Sequence, residues 1–314
     1  MPVRATVAER HGARLDGAAA AFPPLPATTI DVSRKVPSTL GHEYWLRFRA
    51  PSPRRDEDVW AHVYDQDGVT DPSSLISLHG IAMETDMWKQ ISEPDVELLR
   101  HGFHVISACA PRHARRTPTG CYGGQIVMAQ GPFGFIELFE AWVGEIAVLI
   151  GWLRQSSKAS VAVARHSLGA LTTRLVGGAA SGRPVHLRPD AIALTAISGD
   201  VVETVLRGSV ARALGTEHVL GEHGWSCDDV ESWHSLLEPQ AQPATPPDRV
   251  VMVLGAADTL TPYSGGAALA EAWEIPPQNM FVRTRGHFTV VFGAYNDTAP
   301  LLRLAEIVAQ LAAR

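Results

Sequence analysis

The chain has 314 residues, of which 46% are hydrophobic and 19% are charged, and its 27 basic and 33 acidic residues leave a formal net charge of −6. This length and composition suit one large globular domain with an insertion. The negative balance provides no basic surface for nucleic acid, so nucleic-acid binding is not expected. The longest apolar stretch, Trp142–Leu153, contains Glu145 and is shorter than the ~20 residues of a membrane span.

The cysteine content and the N-terminal residues favour a cytoplasmic protein. Cys109, Cys121 and Cys227 are too few for a disulfide framework, and three reduced thiols are a simpler interpretation than a single Cys109–Cys121 bridge. The N-terminal segment lacks a signal-peptide layout, because prolines interrupt the chain after the short apolar patch Ala18–Phe22. The sequence therefore predicts a cytoplasmic location.

The chain begins with residues 1–38, which mix Ala, Arg and Pro without a sustained period and predict a loosely ordered arm. Strand-like runs then alternate with helical patterns. The predicted strands are Tyr44–Arg49, Asp58–Tyr64, Ser74–Leu78, Phe103–Ala108, Ser160–Ala164, Ala191–Ala196, Arg249–Leu254 and Met280–Val282. The predicted helices include Glu93–Arg100, Phe133–Arg154, Leu168–Val176 and Leu301–Leu311.

Alternating strands and helices predict an α/β fold with a mostly parallel central sheet covered by helices on both faces. Residues 39–199 and 248–314 carry this rhythm and form the predicted core. Residues 200–247 interrupt it and end in a proline-rich exit. We interpret them as a cap or lid inserted between two strands.

The most informative motif surrounds Ser167. The strand that ends near Ala164 leads into this serine, and a helix begins directly after it. Such a strand–turn–helix geometry exposes a nucleophilic hydroxyl at a helix N-terminus, where developing negative charge is stabilised. Gly169 permits close approach of the helix to a neighbouring strand. The structural alternative is that Ser167 only caps the helix.

Two further residues follow predicted strands near the end of the chain. Asp258 lies after a strand and a small-residue turn and precedes Pro262, and a role as cap of a helix near Tyr263–Trp273 is its alternative. His287 follows the strand Met280–Val282, although an isolated loop histidine often has no catalytic role.

These motifs resemble the α/β-hydrolase fold superfamily, in which serine esterases and lipases are common. The family elbow reads Gly-x-Ser-x-Gly, whereas residues 165–169 read Arg-His-Ser-Leu-Gly, so Arg165 replaces the first glycine. We expect Arg165 either to crowd the turn or to bind an anionic substrate group. The order Ser167, Asp258, His287 is the family order of nucleophile, acid and base.

The resemblance also implies an oxyanion hole and a substrate pocket. In the family, a His-Gly pair at the end of a strand precedes one oxyanion donor, which places the two donors at the N–H groups of Ile81 and Leu168. Apolar residues near these positions either line a pocket for the substrate or belong to the core. The candidate pocket residues are His79, Met83, Arg165, His166, Trp225 and Trp233.

The resemblance therefore implies a serine hydrolase that cleaves a carboxylic ester of a small molecule through Ser167, His287 and Asp258. No metal or cofactor is expected, since the histidines lack metal-ligand spacing. Asp200 is an alternative acid. Other α/β-hydrolase chemistry (amidase, C–C hydrolase or lyase) and a catalytically impaired binding protein stay open, and the sequence does not define the oligomeric state.

Overall fold

The computed structural model describes residues 25, 27–38, 40–52, 55–82, 98–231, 242–293 and 297–312. In these ranges the strands form one sheet. They are β1 (Asp31–Val32), β2 (Val36–Ser38), β3 (Gly41–Arg49), β4 (Asp58–Gln66), β5 (Ser74–Leu78), β6 (His104–Ala108), β7 (Val161–His166), β8 (Ala191–Thr195), β9 (Val250–Gly255) and β10 (Met280–Arg283).

The sheet has the strand order β1-β3-β4-β6-β5-β7-β8-β9-β10, and β2 pairs with β3. The pairs from β6 to β10 are parallel, whereas β1 to β4 pair antiparallel and β4 is antiparallel to β6. The predicted mostly parallel sheet is confirmed. Every strand predicted after residue 39 is present, with ends that differ by a few residues.

The helices within the described ranges lie between and after these strands. They are α1 (Gln125–Ala129), α2 (Pro132–Ser156), α3 (Leu168–Ala179), α4 (Val201–Arg207), α5 (Ser209–Ala213), α6 (Thr216–Glu222), α7 (Cys227–Glu231), α8 (Tyr263–Ala272), α9 (His287–Gly293) and α10 (Ala299–Ala312). The predicted helix Glu93–Arg100 lies mainly outside the described residues.

Helices cover both faces of the sheet, as predicted. On one face, β7 directs Val161 and Val163 into a core shared with α2, α3 and α8. On the other face, Ala162 and Ala164 pack in a second core with residues of α10. Alternate residues of β7 thus face opposite layers, which is why the strand reads as a continuous apolar run.

The loosely ordered arm predicted for residues 1–38 is wrong for its last part. Asp31 and Val32 pair with β3, and Val36 to Ser38 form a second short antiparallel pairing with the same strand. Both segments are too short to show a period in the sequence, and their pairing depends on β3. Residues 1–24 and Pro26 lie outside the described part of the chain.

One buried ion pair stabilises the face that α2 covers. The guanidinium of Arg116 donates from Nη1 and Nη2 to the two carboxylate oxygens of Glu145, at 2.7 and 2.8 Å, and both side chains are 1% exposed. Arg116 also donates to Glu57 at 2.8 Å and to the carbonyl of Cys109 at 3.0 Å. These bonds explain why Glu145 is tolerated inside an otherwise apolar helix face.

Candidate active site

The site lies at the carboxyl ends of the parallel strands. Ser167 follows β7, Asp258 follows β9 and His287 follows β10. Since adjacent parallel strands end at the same edge of a sheet, residues that are far apart in sequence meet there. The structure places the three sequence-predicted side chains in one hydrogen-bonded chain.

Ser167 occupies a sharp turn between β7 and α3. Its φ of 55° and ψ of −124° are unusual for a residue with a side chain, so the surrounding structure must hold the turn in place. Its N–H donates to the carbonyl of Thr195 on β8 at 3.0 Å. Although Ser167 stands at the N-cap position of α3, its side chain makes no capping hydrogen bond. Its hydroxyl points to His287 instead.

Gly169 permits this turn to lie close to the sheet. A Cβ built at Gly169 would lie 2.2 Å from the carbonyl oxygen of Leu78 at the end of β5. Any side chain there would push α3 away from the sheet, as the sequence predicted for this glycine. Gly169 thereby fixes the distance between the N-terminus of α3 and the end of β5.

His287 bridges Ser167 and Asp258. Its Nε2 lies 2.9 Å from Ser167 Oγ, and its Nδ1 lies 2.8 Å from Asp258 Oδ2. Because the carboxylate accepts, Nδ1 carries the proton and donates to Asp258, which leaves Nε2 free to accept from the serine hydroxyl. His287 and Asp258 are 7% and 5% exposed, so the chain of hydrogen bonds is mostly shielded from water.

Asp258 is held by several donors besides His287. Its Oδ1 accepts from the N–H groups of Leu260 and Thr261 at 2.9 Å each, and its Oδ2 accepts from Thr261 Oγ1 at 2.8 Å. Burial raises the pKa of Asp258, but the hydrogen bond and charge of His287 and the Thr261 donors outweigh burial and hold this pKa below its usual value. The carboxylate is therefore ionised at neutral pH. It does not cap α8, whose N-cap residue is Pro262.

Asp200, the alternative acid, has a different role. Its Oδ1 accepts from the N–H of Glu203 at 2.6 Å, which makes it the N-cap of α4. A side chain that satisfies a helix end in this way stabilises the helix. The acid beside His287 is Asp258.

Ile81 and Leu168, the residues that carry the two predicted oxyanion donors, line the cavity that contains Ser167. Leu168 begins α3, and the first amides of a helix have no partner within the helix. Ile81 follows β5, and both residues line the same cavity as Ser167 and His287. The N-terminus of α3 also carries the positive end of the helix dipole, which favours negative charge at this place.

A cavity of about 630 Å³ opens over Ser167 and His287. One wall of the cavity is formed by residues that follow β5 and by the helices α1 and α2. Another wall is formed by the helices α4 to α6, which lie between β8 and β9. Its described lining includes Ile81, Met128, Phe135, His166, Leu168, Leu171, Val201, Thr204, Val205, Val210, Ala211, Leu214, Thr216, Val219, Leu220, His223, Thr261, Phe288, Val291 and Phe292. The segment after β8 therefore contributes much of the cavity wall.

Only part of the predicted pocket lies in this cavity. His166 lines it, and burial, followed by the charge of Arg165, lowers the pKa of His166 well below its usual value. Trp225 does not line it: this side chain is 4% exposed and packs in the core shared with α2 and α3. Met83 and Trp233 lie outside the described residues.

His79, a predicted pocket residue, is not among the residues that line this cavity. Its Nδ1 donates to the carbonyl of Gly80 at 2.8 Å, and its Nε2 accepts the N–H of Ala110 at 3.0 Å. The ring packs against Trp142, with centroids 5.3 Å apart, and against His113 at 5.1 Å. His79 thus joins the ends of β5 and β6 and supports the loop that carries Ile81.

Arg165 is not among the residues that line this cavity, and the expected binding of an anionic substrate group stays a prediction. Its Nε donates to Ser77 Oγ at 2.8 Å, across the sheet on the neighbouring strand β5. Its φ of 154° lies in a region that favours glycine, as the family pattern at this position suggests. Arg165 adopts this conformation and places its side chain against Ser77.

Thr261 is a site residue that the sequence analysis missed. It is 2% exposed, and its hydroxyl contacts both Asp258 and His287. A hydroxyl three residues after the acid is the local signal that points to it. The helices α4 to α6 were expected to form a cap, but which of their residues face the site depends on packing that the sequence does not reveal.

Several solved structures are similar to this chain. Acetyl xylan esterase 1 from Thermoanaerobacterium sp. JW/SL YS485 is 15% identical over 95% of this chain and 92% of that chain, with a TM-score of 0.61. A cold-adapted esterase from an Arctic intertidal metagenomic library is 13% identical over 90% and 97%, with a TM-score of 0.55. A lipase in an open form is 15% identical over 91% and 100%, with a TM-score of 0.51. No family model and no curated protein matches the sequence.

At this level of identity, the similarity establishes the fold. The likeness to these esterase and lipase structures, together with the strand order and the helices on both faces of the sheet, defines the chain as an α/β-hydrolase fold. The predicted fold class is therefore confirmed. None of the helices in the described ranges is long and apolar enough to span a membrane.

Proposed function

We propose that this protein hydrolyses carboxylic esters, with Ser167 as nucleophile, His287 as general base and Asp258 as the residue that orients the imidazole. The observation that carries the proposal is the continuous hydrogen-bonded chain from Ser167 Oγ through both ring nitrogens of His287 to Asp258 Oδ2, with distances of 2.9 and 2.8 Å. A nucleophile, a base and an orienting carboxylate in mutual reach are the elements that acyl transfer requires.

In the first half of the reaction, Ser167 Oγ attacks the carbonyl carbon of the ester, and its proton passes to His287 Nε2. The electron pair of the carbonyl π bond moves onto the carbonyl oxygen, which becomes negatively charged. Asp258 keeps the opposite nitrogen, Nδ1, protonated and stabilises the imidazolium. When the tetrahedral intermediate collapses, the C–O bond to the alcohol breaks and the alcohol leaves with the proton from Nε2.

In the second half, water attacks the acyl group on Ser167, and His287 Nε2 accepts a proton from that water. Collapse of the second tetrahedral intermediate breaks the bond to Ser167 Oγ, which takes the proton back from Nε2. The carboxylic acid then leaves. Both halves use the same base and return the protein to its initial protonation state, so the cycle is balanced.

The N–H groups of Ile81 and Leu168 are proposed to bind the developing oxyanion. Each such donor typically contributes about 3 kcal/mol to stabilisation of the transition state. Leu168 is suited to this role by its place in the first turn of α3, and Ile81 by its place next to Gly80 on the same cavity wall. Residues 200–247 are proposed to act as a cap over this site.

An ester is preferred to an amide as substrate, because an alkoxide leaving group needs less protonation than an amide nitrogen. The test uses p-nitrophenyl acetate and butyrate with the wild type, Ser167→Ala and Ser181→Ala. Ser181 is an exposed serine whose hydroxyl contacts the carbonyl of Gly178, so its variant is the matched control. Thermal unfolding of each variant checks that it is folded.

We expect Ser167→Ala to lower kcat by a factor of at least about 10³, and Ser181→Ala to leave kcat within about two-fold of the wild type. Equal activity of Ser167→Ala and the wild type would overturn the proposal. A folded wild type without ester turnover, but with turnover of an amide or of a C–C bond, would favour the alternative chemistry. Absence of any Ser167-dependent reaction would favour a binding protein.

A further inference from the structure

The lining of the cavity points to the class of ester that this site accepts. Among the cavity-lining residues that the structure describes, the titratable ones are histidines, and there is no lysine, arginine, aspartate or glutamate. His166, which precedes Ser167 and is buried, is neutral because burial lowers its pKa. A charged substrate group that moves from water to this described wall would lose its hydration and would find no residue of opposite charge. Its binding would therefore cost free energy.

The mouth of the cavity is also apolar. Large apolar side chains are normally scattered singly on a protein surface, and a group of them around an opening marks a ligand-binding groove. Five exposed apolar side chains of the described chain line this cavity: Met128 (37% exposed), Val210 (38%), Leu214 (57%), Val219 (40%) and Phe288 (63%). These five residues, called here the apolar rim, line the part of the cavity that is exposed to solvent.

The segment after β8 supplies much of this surface. Val210 and Ala211 on α5, Leu214 after it, and Val219 and Leu220 on α6 all line the cavity. Ala211 is 6% exposed, and the small size of its side chain leaves space in the wall for a ligand. A cavity of about 630 Å³ is within the range of sites that enclose a whole small-molecule ligand.

We infer that the substrate is an uncharged ester with an extended apolar chain that packs along the apolar rim and against the helices α5 and α6. This inference rests on the proposed ester hydrolysis. Ala211 and Leu214 are the specificity-determining residues: Ala211 by leaving room for the chain, and Leu214 by covering its outer part. Neither residue takes part in the chemistry at Ser167.

The first measurement is kcat/KM for p-nitrophenyl acetate, butyrate, hexanoate and octanoate, below their critical micelle concentrations. Burial of one methylene group is worth about 0.8 kcal/mol, which corresponds to about a four-fold change. We expect kcat/KM to rise by two- to four-fold per methylene (a rough range from the same transfer value) up to octanoate. The p-nitrophenyl monoester of octanedioic acid, which carries a terminal carboxylate, is expected to react at least about 100-fold more slowly than octanoate.

Two pairs of variants test the named residues. Ala211→Leu fills the cavity wall, and Ala213→Leu places the same side chain on an exposed, non-lining position of the same helix. Leu214→Ser removes part of the apolar rim without entering the core, and Leu302→Ser removes an exposed leucine (43% exposed) from α10, away from the cavity.

We expect Ala211→Leu and Leu214→Ser each to lower kcat/KM for octanoate by about five-fold or more, while kcat/KM for acetate changes by less than two-fold in both. The controls Ala213→Leu and Leu302→Ser should leave the octanoate-to-acetate ratio unchanged. If acetate is hydrolysed but the ratio is flat along the series, or if all four variants change it equally, the inference on the chain is wrong and the proposed hydrolysis stands.

A binding measurement separates this inference from the chemistry. Calorimetric titration of Ser167→Ala with 1-butanol and 1-octanol needs no turnover, and 1-octanol is expected to bind at least about 30-fold more tightly, since it buries four more methylene groups. Tight 1-octanol binding without any esterase activity of the wild type would overturn the proposed function and retain the inference on the apolar ligand. Equal, weak binding of both alcohols would overturn the inference.

Discussion

The hydroxyl of Thr261 lies 2.8 Å from Asp258 Oδ2 and 3.1 Å from His287 Nδ1. It donates to the carboxylate oxygen that also accepts the imidazole proton, so Thr261 fixes Asp258 in the orientation in which it meets the ring. The N–H of the same residue donates to Oδ1 at 2.9 Å. Thr261 is thus a positioning residue for the proposed base, and it acts through Asp258.

Thr261→Val is expected to lower kcat by about ten-fold, because loss of a hydrogen bond to a charged group costs about 1.5 kcal/mol. The same change removes a donor that lowers the pKa of Asp258, so this pKa should rise. The readouts are kcat against pH and the carboxyl titration by NMR. Thr261→Ser, which keeps the hydroxyl, should have the kcat and the Asp258 pKa of the wild type. If Thr261→Ser behaves like Thr261→Val, Thr261 contributes only through packing.

Arg165 provides a test of backbone strain beside Ser167. A φ of 154° favours glycine, and a residue held in such a region costs about 1–3 kcal/mol. Arg165→Gly and Arg165→Ala both lose the bond to Ser77, and only the glycine variant relieves the backbone. We therefore expect Arg165→Gly to be more stable than Arg165→Ala by about 1–2 kcal/mol in urea unfolding.

The control for this comparison is Arg47, an exposed residue of β3 that has no positive φ. At an ordinary strand position alanine is more stable than glycine by about 0.5–1 kcal/mol, so the order of the two variants should be reversed at residue 47. The same order at both positions would contradict strain at Arg165.

The buried ion pair of Arg116 and Glu145 predicts a large effect on stability. Glu145→Gln removes one charge and leaves Arg116 buried with Glu57 as its remaining carboxylate partner, so the free energy of unfolding should fall by about 3 kcal/mol. Glu137→Gln on the same helix α2 is the control, because Glu137 lies 3.7 Å from Arg55 and is 25% exposed, and we expect less than about 1 kcal/mol there. Urea unfolding measures both, and similar losses in the two variants would contradict the account.

His79 makes the stability depend on pH. Burial, followed by the charge of His113, lowers the pKa of His79 to about 3 in the folded protein, whereas an unfolded histidine titrates near ~6.5. Between these values the unfolded chain binds a proton that the folded chain does not bind. The free energy of unfolding therefore falls as the pH falls through this range, and the contribution is fully present above it.

His79→Gln should reduce this slope between pH 6 and pH 4 by at most about 1.4 kcal/mol per pH unit, the value for one proton. Glutamine is used because it keeps a polar group near the N–H of Ala110, which donates to His79 in the wild type. Urea unfolding at a series of pH values gives the slope. If the slopes of His79→Gln and the wild type are identical, His79 is not buried in the neutral form.

The sequence predicted the central sheet and the three catalytic candidates because the relevant signals are local. Short apolar runs define the strands, and Ser167, Asp258 and His287 each follow such a run directly. Since parallel strands bring their ends to one edge, the strand assignment alone placed these residues together. The hydrogen bonds that the structure shows among them could only be expected from the family order.

The cavity and the edge of the sheet depended on long-range packing. Trp225 has an apolar side chain in an insertion, and nothing in its neighbours shows whether it faces the core or the ligand, yet the structure buries it in the core. The short strands β1 and β2 exist because β3 offers a free edge. Three points stay predictions: the cytoplasmic location, the assignment of residues 200–247 as a cap, and the substrate.

The central claim is that Ser167 is a nucleophile activated by His287. The most direct test is to react the folded protein with a fluorophosphonate and to map the adduct by mass spectrometry of its peptides, alongside Ser167→Ala and His287→Ala. The account predicts one adduct per chain, on Ser167, absent in Ser167→Ala and formed at least about 100-fold more slowly in His287→Ala. A folded wild type that carries no adduct, or carries it on another residue, would contradict it.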